Sequence, residues 1–247
     1  PVGVATDKAT FTGTTPFTTV ANDSISRTLA TLEFSASAAQ YTITNSTAGG
    51  AFTLSGQGIV NNSAYTQLIN NARSFTFSNT ADAGTNVTFT NINTGTLTFL
   101  DNSTATNARI ANAGTLTISG LSGTEISIGS LSGTAGTITL GSKKLKTGGL
   151  NTSTTVASVI SGVGGVLEKE GSGILTLTGM NTYDGDTIIS GGTLQIGAGG
   201  TVGNIAGNVV NNAALIVNRS NALTYAGIIS GAGTLTKLGG GALTLTG

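Results

Sequence analysis

Two carboxylates stand one residue apart in the stretch Tyr183-Asp184-Gly185-Asp186. Side chains at i and i+2 of a strand point the same way, so the pair could hold Ca²⁺ or supply the acid and base of polysaccharide cleavage. The competing reading is a turn in which Asp184 caps backbone ahead of Gly185. The turn is favoured, because glycan-cleaving sites concentrate acid and base on one face while the ten acidic residues here are scattered. Charge gathers in two other places: Lys143, Lys144 and Lys146 in GSKKLK, and Glu168, Lys169 and Glu170 in EKE. The lysines could grip an anionic glycan, but a solvated corner is the simpler reading. Thr-x-Thr pairs recur at Thr88/Thr90, Thr96/Thr98, Thr115/Thr117, Thr137/Thr139, Thr176/Thr178 and Thr244/Thr246. An unbroken outward ladder of them would suit an ice surface. Variable coil length and drift toward Ser and Lys predict an irregular ladder instead, and Thr is an ordinary solvent-facing strand residue. The glycine-rich runs GVGGV and GAGGTVG lack the Gly-Lys-Ser/Thr ending of a phosphate loop and read as corners.

The absences constrain chemistry more than these motifs do. There is no Cys, so disulfides, thiolate metal sites and Cys nucleophiles are excluded within the chain. There is no His either, which removes the usual general base and every Ser-His-Asp triad. Neither a cofactor nor a metal site is expected. Charged residues are 8% and balance to a net charge of zero, so no field steers nucleic acid toward the chain and no nucleic-acid partner is expected. Mean hydropathy is +0.24, which with so little charge marks a folded chain rather than a disordered one. No apolar run approaches the roughly 18 residues of a membrane-spanning helix. The opening PVGVATDKATFTG lacks the charged start and apolar run of a signal peptide, as a mature or excised segment also would.

The elements that must position these residues are short strands. Period-two alternation dominates, as in FTLSG from Phe52, FTFSN from Phe75, LTFLD from Leu97, LTISG from Leu116 and ITLGS from Ile138. Those starts recur with a period of about 20–22 residues, which is the mark of a stacked repeat. One such coil cannot bury its own apolar face, whereas stacked coils bury a continuous column. The expected fold is all-β, a right-handed parallel β-helix of on the order of 11 coils. At about 4.8 Å per coil it forms a rod of roughly 50 Å. Recurrent Asn, at Asn45, Asn61, Asn62, Asn91, Asn112, Asn211 and Asn212, is read as stacked corners that satisfy backbone groups. Two stretches, ISRTLATLEF (Ile25, Leu29, Leu32) and YTQLINNA (Tyr65, Leu68, Ile69, Ala72), carry helical spacing. Their β surroundings favour irregular coil edge over a short helix. The phrase at residues 159–179, VISGVGGVLEKEGSGILTLTG, nearly recurs at residues 227–247. Leu175 then matches Leu243, an offset close to three coils.

The stretch Lys169–Gly197 resembles the passenger-associated transport repeat of autotransporters. The matching positions are Lys169, Gly171, Gly173, Leu175, Leu177, Asn181, Thr182, Tyr183, Gly185, Gly191, Gly192, Thr193 and Leu194. A second copy supplies Lys237, Gly239, Gly241, Leu243 and Leu245 and stops where Asn-Thr-Tyr should follow. Asp184 and Asp186 depart from the family, which usually carries Ser, Gly or Thr there. Residues before 150 are similar to passengers with autotransporter-associated β-strand repeats. Three regions are expected: residues 1–50 as N-terminal coils that could cap the rod, 51–158 as β-helix coils, and 159–247 as coils bearing the transport repeats, cut short at the C-terminal end.

The resemblance implies a bacterial passenger, secreted or exposed on the outer membrane. Its parent chain would carry a C-terminal outer-membrane β-barrel translocator. The expected role is a non-enzymatic adhesin or stalk whose repeats aid export and folding, with self-association or a cell-surface glycan or protein as partner. The alternatives are a β-helix polysaccharide-degrading enzyme, which needs a groove of clustered carboxylates, and a pure spacer for a domain elsewhere.

Overall fold

A computed structural model of the chain describes residues 6–15, 18–21 and 24–247. Residues 1–5 of the opening stretch lie outside the described residues. Among the described residues all regular structure is β, from Lys8–Phe11 to Leu243–Leu245, and neighbouring strands pair in parallel. The longest sheet orders eleven strands, from Thr18–Ala21 to Ile229–Ser230, so the chain winds a β-solenoid of about eleven turns. Beside it run an eight-stranded sheet from Lys8–Phe11 to Val159–Ser161 and a five-stranded sheet from Thr154–Val156 to Thr234–Leu238.

The repeat period is visible in the registers. Phe52 pairs with Phe75, Phe75 with Leu97, Leu97 with Leu116, Leu116 with Ile138 and Ile138 with Ile160. All six side chains are buried, so the five strand starts read from sequence form one inward column. The N-terminal half fills its core with rings: Phe77 stacks on Phe99 at 5.1 Å, and Phe75 meets Phe89 edge-on at 5.4 Å. The C-terminal half uses aliphatic columns instead, such as Leu175, Leu194 and Leu215. Burying each such side chain contributes about 1.5–3 kcal/mol.

The faces change over near residues 125–161. The strand Glu125–Ser132 pairs through its second half with Ala105–Asn112 and through its first half with Lys144–Thr147. Soon after, the eight-stranded sheet ends and the five-stranded one begins.

Two expectations require correction. Neither stretch with helical spacing is a helix or an irregular edge. Arg27–Phe34 and Gln67–Asn71 are strands, the first with a register shift between Leu29 and Thr31. Ladder partners on both sides, such as Thr42 and Thr88 flanking Leu68, override the local spacing. The two near-copies of the Gly-Thr-Leu phrase do not stack either. Three coils carry Leu167 through Thr187 and Val209 to Ile229, whereas the second phrase places its copy of that leucine at Leu235. The strand Val166–Lys169 lies in the eleven-stranded sheet, and its counterpart Thr234–Leu238 lies in the five-stranded one. The second copy is turned by one face.

Candidate functional site

The eight-stranded sheet presents two outward rows of hydroxyls. One runs Thr28, Thr53, Thr76, Thr98, Thr117, Thr139 and Ser161, each paired in register with the next. The second runs Ser74, Thr96, Thr115 and Thr137, and valine replaces the hydroxyl on the next strand at Val159. Inward neighbours fix this orientation, because Phe75, Leu97, Leu116 and Ile138 alternate with the hydroxyls and are fully buried. No charged side chain stands in either row. Successive hydroxyls within each row lie about 4.8 Å apart along the rod. A shallow groove borders them, lined by Thr53, Thr76, Ser78, Asn79, Leu100 and Asp101. Asp101 Oδ2 accepts the Asn79 backbone N–H at 2.9 Å, which stacks two left-handed corners, Asn79 and Asp101, each with φ 54°.

The expected irregular ladder holds on the other faces. In the eleven-stranded sheet, Thr42 is followed by Leu68, Thr88 and Arg109. In the five-stranded sheet, Thr176 is followed by Gln195 and Ile216. On the eight-stranded sheet it fails, because three of the six Thr pairs fall on consecutive strands there.

Charge forms a separate strip. Lys144 Nζ lies 3.4 Å from Glu125 and 3.5 Å from Glu168, and Lys146 Nζ lies 3.7 Å from Glu125 and 4.0 Å from Glu170. Lys144 and Lys146 are thus on a strand, paired across three rungs, rather than at a solvated corner. Each exposed pair contributes about 0–1 kcal/mol. Lys169 does not join them, being 1% exposed. The Asp pair behaves as a corner. Asp184 Oδ1 accepts the Gly164 N–H at 2.5 Å, so its cap reaches one coil back rather than to Gly185. Among the described residues, no group of three or more Asp or Glu is placed to hold a metal ion.

Inside the rod, amides stack. Asn45 donates to Asn71 Oδ1 at 2.9 Å, Asn71 to Asn91 at 2.8 Å and Asn91 to Asn112 at 2.8 Å, all four nearly inaccessible. Each also donates to a backbone carbonyl of its own or the next coil. Asn61 and Asn211 likewise meet carbonyls, at Asn86 and Thr234. Asn62 bonds Glu33 instead. Sequence reading missed Asn71, the ladder's second rung.

The repeat-motif positions are coil corners and core. Leu175, Leu177 and Leu194 are buried. Asn181 ties three coils, accepting the Ile160 N–H at 2.9 Å and donating to Asn204 O at 2.8 Å. Tyr183 is fully buried, its hydroxyl 2.7 Å from Thr187 Oγ1, and burial pushes its pKa well above the usual phenol value. Tyr225 donates to Gly207 O and is pushed up to about 12, again chiefly by burial. Gly171 has φ +72°, and a Cβ there would stand 2.1 Å from Gly148 O. Gly173 and Gly185 similarly press on carbonyls of the preceding coil, as do Gly239 and Gly241 in the second copy. Gly191 packs on Gly171, Gly192 holds φ +61°, Leu243 is half-buried, and Leu245 is exposed. The ammonium of Lys169 meets three carbonyls, and that of Lys237 meets two. Burial pulls the Lys169 pKa below the usual lysine value, against the Glu170 carboxylate that pulls it up.

Residues 167–196 match the family described as the passenger-associated transport repeat. A stretch of 55 residues is 60% identical to the adhesin BmaC autotransporter of Brucella suis biovar 1 (strain 1330), covering 22% of this chain. The chain spans only about 2% of the length of that curated relative. No solved structure matches the chain. The corners of this parallel solenoid at residues 167–196 are thus those of a passenger-associated transport repeat, and over 55 residues the chain is similar to an autotransporter adhesin.

Proposed function

We propose that this stretch of passenger serves as an adhesive or stalk-forming rod and performs no catalysis. As passenger it is secreted or exposed at the cell surface. The parent polypeptide would supply the outer-membrane β-barrel that exports it. The observation that carries the reading is the pair of in-register hydroxyl rows on the eight-stranded sheet. Such a face has no single pocket. It works by repetition, because several weak contacts on one rigid body raise overall binding far above any one of them. The carboxylates near the lysines favour structure over chemistry, since Glu125, Glu168 and Glu170 each lie against a lysine.

Thr98→Arg with Thr117→Arg places two bulky charges in the middle of the longer row. Sedimentation velocity with cell-surface glycans, and binding to whole cells, should show a tenfold or greater loss for this variant, while its melting midpoint stays within a few degrees. Unchanged binding would move the contact to another face. A monomer that ignores glycans and cells in both forms would make the rod a spacer.

A further inference from the structure

Lysine is among the costliest side chains to bury, because an ammonium without partners loses its hydration outright. Lys169 is 1% exposed, yet each of its three donors is met. Its Nζ donates to Glu170 O at 2.8 Å and Gly171 O at 2.9 Å in its own corner, and to Gly191 O at 3.1 Å one coil later. The stem enters the core side of the strand Val166–Lys169, between Thr147 and Ile189 on the neighbouring rungs. Close approach of the carbonyls depends on small corners. A Cβ on Gly148 would stand 3.4 Å from the ammonium, and one on Gly192 would stand 2.5 Å from Gly171 O.

The same hook forms elsewhere. Lys237 donates to Leu238 O and Gly239 O, both at 2.7 Å, and is exposed. Two of the three contacts are therefore made by the lysine with the two residues that follow it, on whichever face it stands. The third belongs to the next coil.

We infer that Lys169 is a latch between coils: a hook preformed by Glu170 and Gly171 that closes on Gly191 O as the following coil docks. Closing the latch removes the charge from water at the moment its last donor is satisfied. A coil docked one residue out of register presents no carbonyl there and leaves a buried donor unmet. The lysine of the Lys-x-Gly-x-Gly turn thus sets the register of stacking, because a buried charged donor without its acceptor is strongly disfavoured. Glu168 also reaches the following coil, accepting from Ser190, but does so on the exposed outer surface where water can replace the bond, and Glu170 faces Lys146 there. The latch is independent of what the rod touches, so its failure would leave the surface reading intact.

Lys169→Met keeps the stem and removes the charge and all three donors. Amide hydrogen exchange on the whole chain should then quicken about tenfold or more in Thr187–Ile189 and Thr193–Ile196, with Phe52–Asn61 to Ala105–Asn112 unchanged. Lys146→Met, which removes an outer-face charge, should not produce that local loosening. A folded Lys169→Met chain with unchanged exchange at residues 187–196 would overturn the latch, as would uniform loosening along the whole rod. If Lys169→Met does not fold, amine acylation of the unsubstituted chain in rising denaturant decides. Lys169 should become reactive in step with exchange at residues 187–196. Reactivity equal to that of half-buried Lys143 while those amides remain protected would sink the proposal.

Discussion

A buried amide ladder concentrates its energy at its middle rungs. Asn91 accepts from Asn71 and donates to Asn112 Oδ1 and Thr115 O, at 2.8, 2.8 and 2.9 Å. Asn91→Leu preserves volume but strands those partners in the core, so a loss of about 3 kcal/mol is expected in denaturant unfolding. A loss below about 1 kcal/mol would mean that water enters and replaces the amide. The buried phenols set a different test. Tyr183 and Tyr225 hold their protons more tightly folded than unfolded, so their contribution is complete below pH 10 and is lost as pH rises past it, through about 12 for Tyr225. The melting midpoint should therefore fall steeply above pH 10. Tyr183→Phe should flatten that fall, and an unaltered slope would assign the alkaline loss to other groups.

Strands explain both what the sequence disclosed and what it hid. Phe52, Phe75, Leu97, Leu116 and Ile138 were legible as a period because inward positions of stacked strands must be apolar at each turn. Phe77 shows what such a column is worth. It is fully buried and stacked on Phe99 with planes 6° apart, so Phe77→Ala should cost about 4 kcal/mol by thermal or denaturant melting, and Phe77→Leu less than half of that. Equal losses for both would mean that ring stacking, rather than volume, holds the column. The Asn ladder was legible in three of its four rungs, because its steps from Asn45 to Asn71, Asn91 and Asn112 are 26, 20 and 21 residues and no fixed spacing marks Asn71. The helical spacing of Ile25, Leu29 and Leu32, read as irregular coil edge, concealed a strand for a related reason. A strand with a register shift moves residues between faces, and short apolar runs do not distinguish that from helical spacing. The hydroxyl face was hidden most of all, since Thr pairs look alike in sequence whether they stack on one sheet or scatter over three.

At the scale of the molecule, the mismatch between repetition and stacking has a physical meaning. Leu167 recurs in sequence as Leu235, yet the residue that stacks three coils from it is Ile229. The repeat is a strand–corner–strand unit that specifies local geometry and leaves its face to the length of the intervening coils. Coil length, not repeat identity, therefore governs whether the rod stays continuous. Solenoid stability is close to a sum of coil and neighbour terms, so whole coils are removable parts. Deleting residues 96–114 takes out one turn and joins Gly95 to Thr115, the position that already pairs with Thr96. The inward column then runs from Phe75 directly to Leu116. The shortened chain should fold, keep a β spectrum, and lose only one coil's share of stability. Deleting residues 96–104 removes a single face, turning Leu116 and Ile138 out of the column below them. That variant should melt non-cooperatively or fail to fold. If both deletions behave alike, stacking in this rod tolerates broken register, and the column is a consequence of the fold rather than its cause.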